Sequence, residues 1–214
     1  MNKTAIGGKA EGLVKLQELG LPVPPFVAVP VGEEPDEPAV AALGEPLAVR
    51  SSAVGEDAAD RSAAGQYETV LGVTRATLAD AVAQVRAGTD RAKAYGADGD
   101  VAVVVQRQIP ATRAGVAFSR DPVGGGDSVL IECALGAGEA VVSGEVTPDR
   151  YRVEGDRVHA RATGIIRTLR DDEAQEVAEL VRKAETGFGR PVDVEFCFEG
   201  RTLWLVQCRP ITTL

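Results

Sequence analysis

Apolar positions recur at helical spacing in three stretches of the chain and alternate with polar ones in many more. Lys9–Leu19 predicts a short helix with Leu13 and Leu16 on one face and Gly20 as its stop. The prolines of Leu21-Pro22-Val23-Pro24-Pro25 block its continuation, because each removes an amide donor and fixes φ. Phe26–Val31 then predicts a buried strand, and the acidic, three-proline stretch Gly32–Pro46 a connector with one helical turn near Ala39–Leu43. Leu47–Ser52 predicts a strand running into a polar loop that reaches about Gln66. Thr74 is placed to cap a helix over Arg75–Tyr95, with Leu78, Ala81, Val82, Val85 and Ala92 inward.

Beyond that helix the period changes. Val101–Gln106, Gly115–Phe118, Val129–Glu132, Ala140–Ser143, Tyr151–Glu154, Val192–Phe198 and Leu203–Gln207 are short β-like runs between turn residues. One helix from Asp171 to Thr186 interrupts them, with Ala174, Val177, Ala178, Val181 and Ala184 at helical spacing. The order predicts an α+β protein, with a smaller N-terminal lobe over residues 1–97 and a strand-rich C-terminal lobe over 98–214.

Composition narrows the function classes. A chain of 214 residues can bury a core as one domain or two small lobes. Its formal charge of −9 argues against nucleic acid as a partner, since that role needs a basic face. Cys133, Cys197 and Cys208 form no CxxC pair, and a single histidine, His159, argues against a Cys/His zinc site. The N-terminus has no apolar signal-peptide core and no apolar run is long enough to span a bilayer, so the expectation is a reduced, cytoplasmic protein.

Some residues suggest chemistry by their setting. Lys9 follows two glycines and opens a helix, where amides and an ammonium can meet phosphate oxygens, although a solvated first-turn lysine has the same pattern. Arg50 ends an apolar strand at a serine-rich segment, where a guanidinium can clamp phosphate or simply reach solvent. In Val192–Cys208, alternation sets Val192, Val194, Phe196 and Phe198 on one face and Asp193, Glu195 and Cys197 on the other. On the return strand Leu203, Leu205, Gln207 and Arg209 are expected on one face, opposite Trp204 and Val206. A three-residue loop, Gly200-Arg201-Thr202, would set Glu195 across from Gln207 and Asp193 across from Arg209, whereas a two-residue loop would separate Glu195 from Gln207. Two adjacent oxygen ligands suit Mg²⁺, which completes its shell with phosphate and water.

Five blocks in order carry a resemblance across nearly the whole chain. They are Gly7–Leu13 (GGKAEGL) with Gly20–Pro24, Leu47–Ala53 (LAVRSSA) with Glu56-Asp57, Ala64–Thr69 (AGQYET), Val101–Pro122 running on to Gly136–Tyr151, and Val192–Thr212 with DVEF and LVQCRPIT. Together they resemble the nucleotide-binding domain of phosphoenolpyruvate synthase, pyruvate phosphate dikinase and rifampin phosphotransferase. The resemblance implies an ATP-grasp fold, two lobes with a nucleotide cleft between them, and ATP with Mg²⁺ as cofactors. By the same match, Lys9, Arg50, the loop with Gly65, Gln66 and Thr69, and Arg209 would hold phosphates, with Arg50 and Arg209 catalytic. Gln106 would contact adenine, and Glu195 with Gln207 would hold the metal. The implied activity is Mg·ATP-dependent phosphoryl transfer, either to a histidine on a separately encoded carrier with its own acceptor-binding domain, or directly to a small molecule. A non-catalytic ATP-binding sensor or scaffold is the alternative.

Departures from the pattern shape these expectations. The segments between Pro24 and Leu47 and between Val73 and Val101 are short for the family, and Arg120 and Cys133-Ala134-Leu135 replace typical residues on the expected acceptor side. The sequence stops just after RPIT, where the family continues into a phosphohistidine domain. His159, among charged residues and without a Gly/Thr-rich setting, reads as a surface residue rather than that carrier.

Overall fold

The computed structural model describes residues 6–53, 69–94, 101–122, 126–136 and 146–211. Helix α1 (Gly7–Glu18) is followed by β1 (Phe26–Val29), the single-turn α2 (Glu37–Ala41), β2 (Leu47–Ala53), β3 (Thr69–Val73) and, after a 3-10 turn, α3 (Leu78–Ala94). Then come β4 (Val101–Arg107), β5 (Arg113–Phe118), β6 (Val129–Leu135), β7 (Asp149–Glu154), β8 (Arg157–Arg161), α4 (Asp171–Phe188), β9 (Val192–Glu199) and β10 (Thr202–Pro210). The strand predicted at Ala140–Ser143 falls outside the described residues. Strands β3 and β8 were not anticipated from the pattern.

Two compact units result: Met1–Gly12 with Pro24–Gln108, and Leu13–Val23 with Ile109–Leu214. The expected boundary at 97/98 would cut ahead of β4. The division falls after it, because β4 pairs with β2 along its whole length and with β1 over Val103–Gln106, and so belongs to the first unit.

In the first unit the strands are ordered β1-β4-β2-β3 and all neighbours are antiparallel. β4 is central, which is why Val101–Val105 is one continuous apolar run rather than an alternating one. Leu78, Ala81, Val82 and Val85 of α3 close the core against Val49, Val73, Val103 and Val105. The side chain of Ala92, also expected inward, lies outside the described residues.

The second unit is a six-stranded antiparallel sheet, β10-β9-β5-β6-β7-β8, with α4 on one face. Ala174, Val177, Ala178, Val181 and Ala184 are fully buried against Ile131, Tyr151, Phe196, Phe198 and Leu205. Three acids in the first turn of α4 suit the positive end of its dipole, and Gly189 ends it at φ 69°, a conformation that costs glycine little. Below the sheet, buried Asp149 accepts from the backbone N–H and hydroxyl of both Thr163 and Thr168, at 2.7–3.0 Å. Burial alone would raise its carboxyl; those four hydrogen bonds outweigh burial and hold it below its ordinary value.

Candidate functional site

The first group of expected residues gathers where α1 meets β2. Gly7 opens α1 at φ 76°, and a Cβ there would come within 2.1 Å of the Ser52 carbonyl oxygen, so only glycine lets the helix start approach the strand. The Ser52 hydroxyl then accepts from the Ala10 amide at 3.0 Å, anchoring the first turn that carries Lys9. Arg50 lies two residues earlier on the same strand, with Thr69 of β3 and Val104 of β4 as its cross-strand partners. β2 runs through Ser51 and Ser52, as the predicted strand Leu47–Ser52 does, and one residue further to Ala53, because all three pair with β4, so Arg50 lies within the strand rather than at its end. Lys9, Arg50 and Thr69 belong to one unit, while Gly65 and Gln66 lie outside the described residues.

Gln106 sits near the end of β4, opposite Phe26 and Ala48, and is only 2% exposed. Its side-chain nitrogen is buried and has no hydrogen-bond partner among the described residues, as is true of the Ser51 hydroxyl. A donor left so costs about 1–3 kcal/mol, which a ligand acceptor would recover. The sequence pattern assigned Ser51 and Ser52 to a strand but gave them no role, although their place beside Arg50 was visible.

The second group lies in the other unit, on the sheet face away from α4. Glu195 stands directly opposite Gln207, and Asp193 opposite Arg209. The register is as expected but its cause is not. The turn is the two-residue Gly200-Arg201, since Glu199 already pairs with Thr202, and the strands stay regular to Leu205 and Phe196. A bulge at Val206 then adds one residue to β10, and this brings Gln207 rather than Val206 opposite Glu195. It also corrects the expected faces. Leu203, Leu205 and Cys208 point into the α4 core, whereas Gln207 and Arg209 share the open face with Trp204.

Asp193 was assigned no role from sequence, yet it organises this pair. The Arg209 guanidinium donates through Nε to one Asp193 oxygen at 2.9 Å, and its Nη2 forms an ion pair with the same oxygen at 2.9 Å. The other oxygen is buried without a hydrogen-bond partner among the described residues. Burial pushes the Asp193 carboxyl up, Arg209 opposes, and the Glu195 charge adds to the rise. A cation against this face would relieve both, so the donor set of Asp193, Glu195 and Gln207 fits a hard metal ion.

Other candidates are used structurally. Arg120 is held by Glu185 at 2.8 Å and by Asp127, so it is neutralised at the base of α4. Cys197 and Cys208 face opposite sides of the sheet, and burial pushes the Cys133 thiol up to about 12. His159 is exposed on β8, at the other edge of the sheet from β10. No described helix is long and apolar enough to cross a membrane.

Comparison with known proteins identifies the family and the fold. The family model of the pyruvate phosphate dikinase AMP/ATP-binding domain matches residues 31–167 and 158–214. The chain is 34% identical over 205 residues to an Archaeoglobus fulgidus protein named "Probable phosphoenolpyruvate synthase", covering 78% of the chain and 27% of that protein. It is also 34% identical to the rifampicin phosphotransferase of Bacillus subtilis, over 78% of the chain and 23% of that enzyme. The chain thus spans about a quarter of the length of these relatives. Among solved structures, the L-amino acid ligase of Bacillus licheniformis aligns over 95% of the chain and 42% of its own, with TM-score 0.56 and 17% identity. The D-alanine–D-alanine ligase of Bacillus anthracis complexed with ATP aligns over 94% and 52%, with TM-score 0.53 and 10% identity. The fold is the α+β ATP-grasp.

Proposed function

The chain belongs to the family of the pyruvate phosphate dikinase AMP/ATP-binding domain, and from that membership we propose that it is the nucleotide-binding, phosphoryl-donating component of a phosphotransferase. The observation that carries this reading is the bulged β9–β10 hairpin, which sets an acid–amide pair beside an acid–arginine pair on one open face. Such a set is what phosphoryl transfer asks of a protein: positioning, and charge held where charge develops.

Lys9 and the amides of the α1 N-terminus, with Arg50 and the segment around Gly65, Gln66 and Thr69, hold the phosphates. Gln106 offers its buried amide to adenine. Glu195 and Gln207 hold Mg²⁺, which when bound neutralises phosphate charge. Arg209, oriented by Asp193, and Arg50 are the catalytic cations. The acceptor is either a histidine on a carrier protein or a small molecule with a free nucleophile.

The test is radiolabelled ATP with Mg²⁺, given to the chain alone, with carrier proteins bearing a phosphorylatable histidine, and with small acceptors. An acid-labile phosphoprotein indicates the first acceptor and a labelled small molecule the second. The chain alone with pyruvate is expected to form no phosphoenolpyruvate. Tight ATP binding with no ADP or AMP formed under any arm would leave a non-catalytic nucleotide module and reject the proposal.

A further inference from the structure

The open face of the second sheet carries another charged cluster, on β7 and β8. Along this hairpin the first open-face pair beyond the turn is complementary, Glu154 opposite Arg157. The next is Arg152 opposite His159, and the last is Arg150 opposite Arg161. Like charges directly opposite each other across antiparallel strands are destabilising. Strict alternation puts all four side chains on one face, on Cβ positions about 5 Å apart across the strands and about 7 Å along them.

Neighbouring acids neutralise only half of this block. Arg150 is paired with Glu132 at 2.8 Å and Arg152 with Asp121 at 2.6 Å. Among the described residues, Arg161 and His159 meet no carboxylate. Arg161 is thus a cation that no described carboxylate neutralises, beside a histidine, at the sheet edge of a chain whose formal charge is −9.

We propose that the Arg150/Arg161 and Arg152/His159 pairs form a site for a phosphate group, inorganic or on a phosphomonoester, separate from the metal pair of β9–β10. Separation follows from the register. One row crosses the sheet from Glu195 through Val116, Glu132 and Arg150 to Arg161. At about 4.8 Å per strand the block begins roughly 14 Å from Glu195 and ends roughly 19 Å from it. No single phosphate bridges that span, so an anion here is not the transferring group but a second ligand. Guanidinium donors suit tetrahedral oxyanions, and the compact block matches one phosphate better than an extended polyanion.

The single histidine makes the site directly readable. The ring-proton resonances of His159 in the full chain are followed by NMR at fixed pH and ionic strength, while sodium phosphate, glycerol phosphate, succinate or chloride is added. A saturable shift with either phosphate compound, absent with chloride, supports the site, and the stronger of the two identifies the source. The response is expected to weaken severalfold in Arg161→Gln, to recover in part in Arg161→Lys, and to persist in Glu195→Gln. No saturable shift, a shift unchanged in Arg161→Gln, or an equal response to succinate would overturn the proposal. Because Glu195→Gln leaves this readout intact, its outcome is independent of whether the metal pair works as proposed.

Discussion

The β7–β8 and β9–β10 hairpins stand at the two edges of one sheet and turn on the same plan. Each has a two-residue loop opened by a glycine at positive φ, Gly155 at 54° and Gly200 at 61°. β7–β8 then runs in regular register, and its open face pairs arginine with arginine. β9–β10 takes in one extra residue at Val206, and its open face pairs acid with amide and acid with arginine. One inserted residue therefore changes what a hairpin can hold. Were Val206 paired regularly instead of bulged, it would face Glu195 and Gln207 would turn into the core.

The comparison breaks most readily at Glu195. Glu195→Gln is expected to weaken Mg·ATP binding by about 1.5–3 kcal/mol, roughly ten- to a hundredfold in Kd. Glu154→Gln, the matched change in the other hairpin, should leave calorimetric affinity unchanged. Equal effects would remove the distinction between the two.

Asp149→Ala comes next, with an effect on stability rather than binding. It deletes the acceptor of the Thr163 and Thr168 hydrogen bonds and should cost about 3 kcal/mol in urea unfolding. Because the Asp149 carboxyl is held low, its contribution is present above its ordinary value of 3.8 and lost as pH falls through the lowered one. The gap between wild type and variant should accordingly narrow in acid.

Asp193→Asn should show the opposite sign. Its carboxyl is raised from 3.8, so its ionisation opposes folding increasingly as pH rises through the raised value. The Tm of the metal-free variant should gain on wild type between acid and neutral pH, while Mg·ATP binding weakens. A constant Tm difference across that range would contradict the burial argument.

Arg161→Glu is the smallest change. It turns a like-charged pair into a complementary one and should stabilise the chain by about 0.2–1 kcal/mol. The thermal shift should be positive and should shrink with added salt.

Much of this was legible in the residues. Val192, Val194, Phe196 and Phe198 alternate cleanly because one face of β9 meets α4 and the other, among the described residues, meets no helix. α4 was legible for the same reason, with its small apolar residues forming one stripe. The bulge was not, since Leu203–Cys208 alternates plausibly in either register and only pairing with Glu195 selects one. β8 was hidden because Arg157-Val158-His159-Ala160-Arg161 puts only Val158 partly into the core. The role of Ser52 depended on a helix start 42 residues away, a contact that local pattern does not encode.

Helix α1 has a further consequence, in the timing of synthesis. Its second half and the turn after it belong to the second unit, where Leu16 and Leu21 join the core and Pro22 accepts from the Leu205 amide at 2.8 Å. Those partners lie at the opposite end of the sequence. On a ribosome adding about 5–20 residues per second, Leu16 and Leu21 emerge roughly 10–40 s before β10 exists to cover them. The first unit can complete its own sheet by Gln108, but the second cannot close until the last strand is made. A nascent chain stalled between these points would carry one finished unit and one apolar half-helix still waiting for its sheet, and this is the stage at which a chaperone would find the most to bind.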